Sequence, residues 1–394
     1  MKTKLMTIIL VCFSMMLFLN SCGTVPKRNP LPEKYSDTAQ IPGIPRVKFW
    51  GDDVPSFFKE VAGQPREKLM QEFPSVFGTE HHYLALSGGG SNGAFGAGLL
   101  VGWSAAGTRP EFTIVTGVST GAIMAPFAFL GAAYDAQLKE MYTKYSTKDL
   151  LRKYNILNAL TGSSLADTTP MKKMMAKYIN QQVMEAIAAE YKKGRRLYVA
   201  TTNIDAKRPV IWNLGLIASS GRPDALELIH KTILASASIP GFFPPMLFEV
   251  EADGKRYDEI HVDGGTASQV FLYPAALDWK YLLRQFEVKG IPKAYVVRNS
   301  RLKPDWTTVN PSLLQLAGVS ITSLIRTQGI GDLDRIYLDC ERDGIDFHLA
   351  YIPGDFDLKP SEEFDPVYMG KLFDLGYQLA KKGYPWEKAP PGFE

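Results

Sequence analysis

The chain is poor in cysteine and histidine, with 3 Cys and 5 His in 394 residues. Its cysteines are Cys12, Cys22 and Cys340. Cys12 lies in an apolar leader and Cys22 at its end is expected to be acylated, which leaves only Cys340 free, so no internal disulfide is expected. The fold must stand on its core. No Cys/His spacing of the zinc type occurs, and no Asp-rich loop of EF-hand type. Charge of either sign is not in excess either. Lys and Arg number 44 against 41 Asp and Glu, a formal balance of +3. That excludes the basic surplus of a nucleic-acid binder and the acidic surplus of a solvating tail. Internal repeats are absent, and the tail lacks the serial alternating strands of an outer-membrane barrel. With 45% hydrophobic and 22% charged residues, the composition is that of a globular protein.

One apolar run stands out, Leu5 to Leu19. It is too short for a typical membrane-spanning helix, and Lys2 and Lys4 precede it as a positive n-region. It ends in Leu19-Asn20-Ser21-Cys22-Gly23, which resembles a bacterial lipobox. Residues 1–21 are therefore expected to be a lipoprotein signal peptide, with Cys22 becoming the lipid-modified N-terminus. Removal of Lys2 and Lys4 would leave 42 basic against 41 acidic residues. So neutral a body is drawn only weakly to anionic membranes, and the lipid at Cys22 would supply attachment. Gly23 resembles the residue that follows the cysteine in lipoproteins sent on to the outer membrane of the bacterial envelope. Residues 22–75 carry eight prolines from Pro26 to Pro74 and read as a tether or N-terminal extension. Phe49, Trp50, Phe57 and Phe58 are suited to docking it on the body.

The chemistry concentrates between Leu84 and Gly121. Tyr83 to Leu86 reads as a buried strand that stops at Gly88-Gly89-Gly90. Ala94 to Ala106 reads as a helix of small residues. Phe112 to Val118 is a second, β-branched strand, ending in Gly117-Val118-Ser119-Thr120-Gly121 before another helix. Strand, turn, helix, repeated, describes a parallel α/β unit. A G-x-S-x-G turn between strand and helix presents its serine above the sheet, which makes Ser119 a candidate nucleophile. The glycine triplet can aim bare N–H groups at one point, as an oxyanion hole requires. Gly88 to Gly93 also fits G-x-G-x-x-G, but the dinucleotide reading needs an acidic residue at the second strand end, where Gly117-Val118-Ser119 stands instead. A Walker-type loop is excluded because no lysine follows the glycines at the required place.

A serine nucleophile needs a base. His81, His82, His230, His261 and His348 have no flanking pattern that marks them. Asp263, before Gly264 and Gly265, is a second candidate, which partial desolvation would make basic enough. The same Asp-Gly-Gly also fits a plain hairpin turn.

Four blocks together resemble the patatin-like phospholipases. They are Ser-Gly-Gly-Gly-x-x-Gly at 87–93, Gly-Val-Ser-Thr-Gly-Ala at 117–122, Ala-Ser-Ala-Ser-Ile-Pro-Gly-Phe-Phe-Pro-Pro at 235–245 and Asp-Gly-Gly at 263–265. The resemblance implies a three-layer α/β/α hydrolase-type fold with a mainly parallel central sheet. It implies a Ser–Asp dyad, Ser119 as nucleophile and Asp263 as general base, with the amides of Gly88, Gly89 and Gly90 as oxyanion donors. The implied activity is lipid acyl-ester hydrolysis without metal or organic cofactor, on a lipid or phospholipid substrate; acyl transfer and silent lipid binding are the alternatives. The family usually has Arg or Lys where this chain has Asn92.

The catalytic domain is expected over residues 76–394, with a helical insertion at 137–193. Met171, Met174, Met175, Tyr178 and Ile179 recur there at helical spacing, as core or as a cap over the site. Further strands are expected at Arg196–Asn203, Val210–Trp212, Lys293–Arg298 and Gly344–Ile352, and a hairpin at Phe248–Asp263. Helices are expected at Pro223–Ser238, Ser312–Gln328 and Lys371–Lys382. The apolar turn Ile239–Pro245 reads as a wall of the site.

Overall fold

A computed structural model describes residues 28–154, 164–304, 306 and 308–393. The leader and Cys22 lie outside the described residues. Among those described, nine strands form one sheet: β1 (Lys48–Trp50), β2 (His82–Leu86), β3 (Ile114–Val118), β4 (Arg196–Asn203), β5 (Arg208–Asn213), β6 (Met246–Ala252), β7 (Lys255–Asp263), β8 (Lys293–Arg298) and β9 (Asp346–Tyr351). The main order is β1-β5-β4-β3-β2-β8-β9. The run β4-β3-β2-β8-β9 is parallel, and β5 and β1 add antiparallel strands at one edge.

The strands are apolar on both sides because both sides are covered. Leu84, Leu86, Val115 and Val199 face the larger core, with helices α3 (Gly93–Ala105), α4 (Thr120–Leu130) and α11 (Pro366–Lys381). Tyr83, Ala85, Val296 and Leu349 face the smaller one, with α9 (Trp279–Gln285) and α10 (Leu313–Asp343). The fold is therefore the expected α/β/α arrangement with a mainly parallel sheet.

Between α4 and β4 lie α5 (Asp135–Thr143), α6 (Thr169–Tyr178) and α7 (Gln181–Lys192). The methionine stripe of α6 faces inward, and Met171, Met174, Met175, Tyr178 and Ile179 are all buried in the larger core. After β5 comes α8 (Ala225–Ser236).

From Arg28 onward the proline-rich segment lies against the body. Arg28 meets Asp205 and Asp258, and Gln40 bridges to Glu251. β1 pairs with β5, and helices α1 (Ser56–Ala62) and α2 (Arg66–Glu72) follow. Proline at the first helical boundary explains both starts, since Pro55 and Pro65 precede them in extended conformation. Pro55 and Pro65 therefore punctuate docked elements.

A buried ion pair ties β1 to the strand that ends at Asp263. Lys48 Nζ lies 2.9 Å from Glu259 Oε1, and Glu259 Oε2 lies 3.2 Å from His261 Nε2. His261 Nδ1 and Trp212 Nε1 both reach Thr201 Oγ1, at 2.8 Å each. Removing one member of such a pair leaves a buried charge without its partner, at about 3–5 kcal/mol. Lys48→Met is expected to lower stability by about that amount in urea unfolding. An unchanged midpoint would show that this buried ion pair contributes nothing to stability.

Candidate active site

The site forms where one strand hands its partner over to another. β3 pairs with β4 up to Val118 opposite Ala200. At the next position of β4 the partner is β7, with Asp263 opposite Thr201. Ser119 leaves the end of β3 and Asp263 ends β7, so the register sets the two residues end to end. Close approach requires Gly264 beside them, since a Cβ there would lie 2.4 Å from the Ala200 carbonyl oxygen.

Ser119 holds φ 54° and ψ −121°, a conformation costly for a residue with a side chain, on the order of 1–3 kcal/mol. The surroundings hold it there. Its N–H donates to Ser236 Oγ at 2.9 Å, and its carbonyl accepts from Ala122 and Ile123 at 2.9 and 3.2 Å. A Cβ at Gly121 would lie 2.2 Å from the Leu86 carbonyl oxygen, so only glycine lets α4 start this close to the end of β2.

Ser119 Oγ donates to Asp263 Oδ2 at 2.7 Å. Asp263 Oδ1 accepts from the Gly265 N–H at 2.7 Å, and the Asp263 N–H donates to the Ser238 carbonyl at 2.8 Å. Burial raises the Asp263 pKa to about 7, against the opposing hydrogen bonds from Ser119 and Gly265. A carboxylate so placed exchanges a proton near neutral pH.

The glycine turn lies at the neighbouring strand end. Its three amides are not equivalent. The Gly88 N–H donates to the Gln269 carbonyl at 3.0 Å. The Gly89 and Gly90 N–H groups donate to no protein acceptor among the described residues, and both residues have positive φ, 157° and 56°. Asn299, after β8, braces the turn: its N–H reaches Ser87 Oγ, its Nδ2 the Ser87 carbonyl, and its Oδ1 accepts from Gly96.

Residues 84–276 match the family model described as Patatin-like phospholipase. They form a patatin-like phospholipase domain. The family is one of lipid acyl hydrolases. The crystal structure of VipD from Legionella pneumophila is similar, with 12% identity and a TM-score of 0.36, covering 77% of this chain and 66% of that chain. The present chain thus spans just under two thirds of that protein's length. No curated protein matches.

The patatin-like domain leaves the histidines elsewhere. Among the described residues none hydrogen-bonds Ser119; His261 is held by Thr201 and Glu259, and His230 by the Ile179 carbonyl. Cys340 is fully buried, and its thiol pKa is raised by that burial. The Asn92 amide is tied to α11, accepting from Tyr368 Oη at 2.6 Å. In the Ile239–Pro245 turn, Phe242 is exposed and Phe243 buried.

Some site residues carry no sequence pattern. The Gln269 amide lies between the glycine turn and the Ser119–Asp263 pair: a Cβ at Gly88 would meet Gln269 Oε1 at 3.1 Å and Ser119 Cβ at 3.3 Å. Asp332 on α10 holds that loop, accepting from the Gln269 N–H at 2.6 Å and from Ser268 Oγ at 3.1 Å. The roles of Ser236 and Ser238 were signalled only by the Ala-Ser-Ala-Ser block as a whole.

The raised pKa has a sign for stability. Between about pH 4 and 7 the folded chain keeps a proton on Asp263 that the unfolded chain releases. This group's contribution to stability is therefore lost as pH rises through that window. Asp263→Asn cannot be charged, so its melting temperature should exceed the wild type's at pH 8, with the gap shrinking towards pH 5. A gap independent of pH would refute a neutral-range pKa for Asp263.

Proposed function

We propose that the protein is a serine acyl-ester hydrolase acting on lipids, of phospholipase A, lysophospholipase or esterase type, with Ser119 as nucleophile and Asp263 as general base. The observation that carries this reading is the 2.7 Å hydrogen bond from Ser119 Oγ to a buried carboxylate whose pKa is raised to about 7.

In the first half-reaction the Ser119 Oγ–H proton moves to Asp263 Oδ2 as Oγ bonds to the ester carbonyl carbon. The carbonyl oxygen becomes an oxyanion, received by the Gly89 and Gly90 N–H groups. The expected third donor, Gly88, is engaged by Gln269 and serves instead to hold the turn. When the C–O bond to the alcohol breaks, Asp263 returns the proton to the leaving oxygen. Water then gives its proton to Asp263 and attacks the acyl carbon. The fatty acid departs and Ser119 regains its proton.

Intact mass after exposure to a fluorophosphonate ester tests this. One adduct on the wild type, none on Ser119→Ala and little on Asp263→Asn is expected. Its rate should rise with pH and level off above about 7, since Asp263 accepts a proton only when ionised. No adduct on folded wild type at any pH would sink the hydrolase reading in favour of a silent lipid binder.

We also propose that Cys22 carries lipid and anchors the domain to a bacterial envelope membrane, the outer membrane on the strength of Gly23. Cys22→Ser should abolish metabolic palmitate labelling and release the protein from the membrane fraction. Labelling that persists in the variant refutes the anchor.

A further inference from the structure

Arg298 ends β8, one residue before the asparagine that braces the glycine turn. It is only 4% exposed, yet among the described residues it has no hydrogen-bond or ion-pair partner; Nε in particular is buried and unsatisfied. Arg326, on α10, is close enough to repel it electrostatically. Arg326 also lacks a carboxylate partner: its Nη2 donates to the Leu302 carbonyl at 2.7 Å, and its Nε is buried without an acceptor. Asp332, the acid whose charge acts on Arg298, has its oxygens engaged by Arg335, Ser268 and the 269–270 backbone. Burial and the Arg326 charge lower the Arg298 pKa to about 10, but it remains a cation at neutral pH.

The buried Arg298 and the half-buried Arg326 thus lie together with no anion among the described residues to match them. A buried charge is normally paired, because desolvation costs several kcal/mol for each ion. The place adjoins the reaction centre. A Cβ at Gly329 would meet Arg298 Nη1 at 2.7 Å and Gln269 Cβ and Cγ at 3.3 Å. The far end of the same Gln269 side chain lies beside Gly88 and Ser119. One glutamine side chain therefore separates the arginine from the dyad. The absence of a side chain at 329 lets Arg298 Nη1 lie directly against α10, and half-buried Arg326 forms the solvent side of the pair.

We propose that Arg298 and Arg326 form an anion subsite that takes the phosphodiester of a phospholipid headgroup while its acyl ester lies at Ser119. Planar guanidinium forks match phosphate oxygens in pairs. A glycerophospholipid carries its ester and its phosphate a few bonds apart, as the adjoining sites require. The subsite would supply, from β8 and α10, the positive charge that Asn92 does not bring to the glycine turn. The inference rests on the ester-hydrolase reading for its substrate but not for its test.

Binding is measured on the full chain carrying Ser119→Ala, by calorimetry and thermal shift, with dihexanoylphosphatidylcholine, dihexanoylglycerol and inorganic phosphate below micelle-forming concentrations. Tighter binding of the phospholipid than of the uncharged glyceride is expected. Arg298→Met should weaken phospholipid binding tenfold or more and erase the preference. Arg326→Gln, at a less buried position, should reduce it severalfold and serves should Arg298→Met fail to fold. Equal affinity for the two lipids, or a preference that survives in the folded variants, overturns the proposal. Inorganic phosphate binding as tightly as the phospholipid overturns the headgroup assignment in favour of a free-ion site. In the catalytically intact chain, Arg298→Met should lower the ratio of kcat/KM for phospholipid over neutral ester at least tenfold; equal losses on both would mark a structural role. Phosphate-dependent binding in a wild type that hydrolyses neither ester would count against the hydrolase reading and leave the subsite standing.

Discussion

The hydrogen bond between Ser119 and Asp263 joins residues 144 positions apart, and the surrounding structure is arranged to make it short. It depends on β3 and β7 ending at adjacent positions along the same edge of β4. Each partner is then fixed by the backbone of a third segment. Ser236 Oγ accepts from the Ser119 N–H, and the Ser238 carbonyl accepts from the Asp263 N–H. The end of α8 therefore sets the distance between the two side chains without touching either reacting atom. A loop alone would hold such a geometry less firmly than a helix end wedged between two strand ends.

Burial serves the chemistry at the expense of stability. A solvated aspartate is too weak a base to deprotonate a serine near neutrality. Removing water raises its pKa, and the strained serine backbone adds a second local cost. The network from Lys48 through Glu259 and His261 to Thr201 and Trp212 braces β7 just before Asp263. This gives the N-terminal segment a part in the site although it lies at the far edge of the sheet. Sequence order hides that, because Lys48 and Glu259 are 211 positions apart.

Arg298, Arg326, Gln269 and Asp332 extend the centre to one side. They come from β8, α10 and the loop after Asp263, and they meet because β8 pairs with β2 while α10 packs across that face. The same α10 reaches from Leu313 to Asp343, well past the Gln328 at which its periodicity was expected to end. Gly329 and Gly331 look like stops in the sequence, and packing overrides that weak local preference. The extra turns carry Asp332 to the loop that follows Asp263.

Several features could be determined from local residues. The strand–turn–helix pattern at 83–121, strands Arg196–Asn203 and Lys293–Arg298 and the hairpin ending at Asp263 follow from apolar runs bounded by glycine and turn residues. The glycines around Ser119 and Asp263 leave a local pattern because close backbone approach admits only glycine, but Asp263 stood out from a plain hairpin turn only through the family resemblance of the four blocks together. Other features belong to tertiary structure alone. That Gly88 is engaged and Gly89 and Gly90 are not depends on the Gln269 carbonyl. That the Asp263 pKa is raised towards neutrality depends on its burial, and that Arg298 lacks a partner among the described residues depends on what the fold sets around it. A sequence states which groups exist and what the backbone near them can do. Only packing decides which groups lose water and which hydrogen-bond partners remain, and those two quantities set the chemistry here.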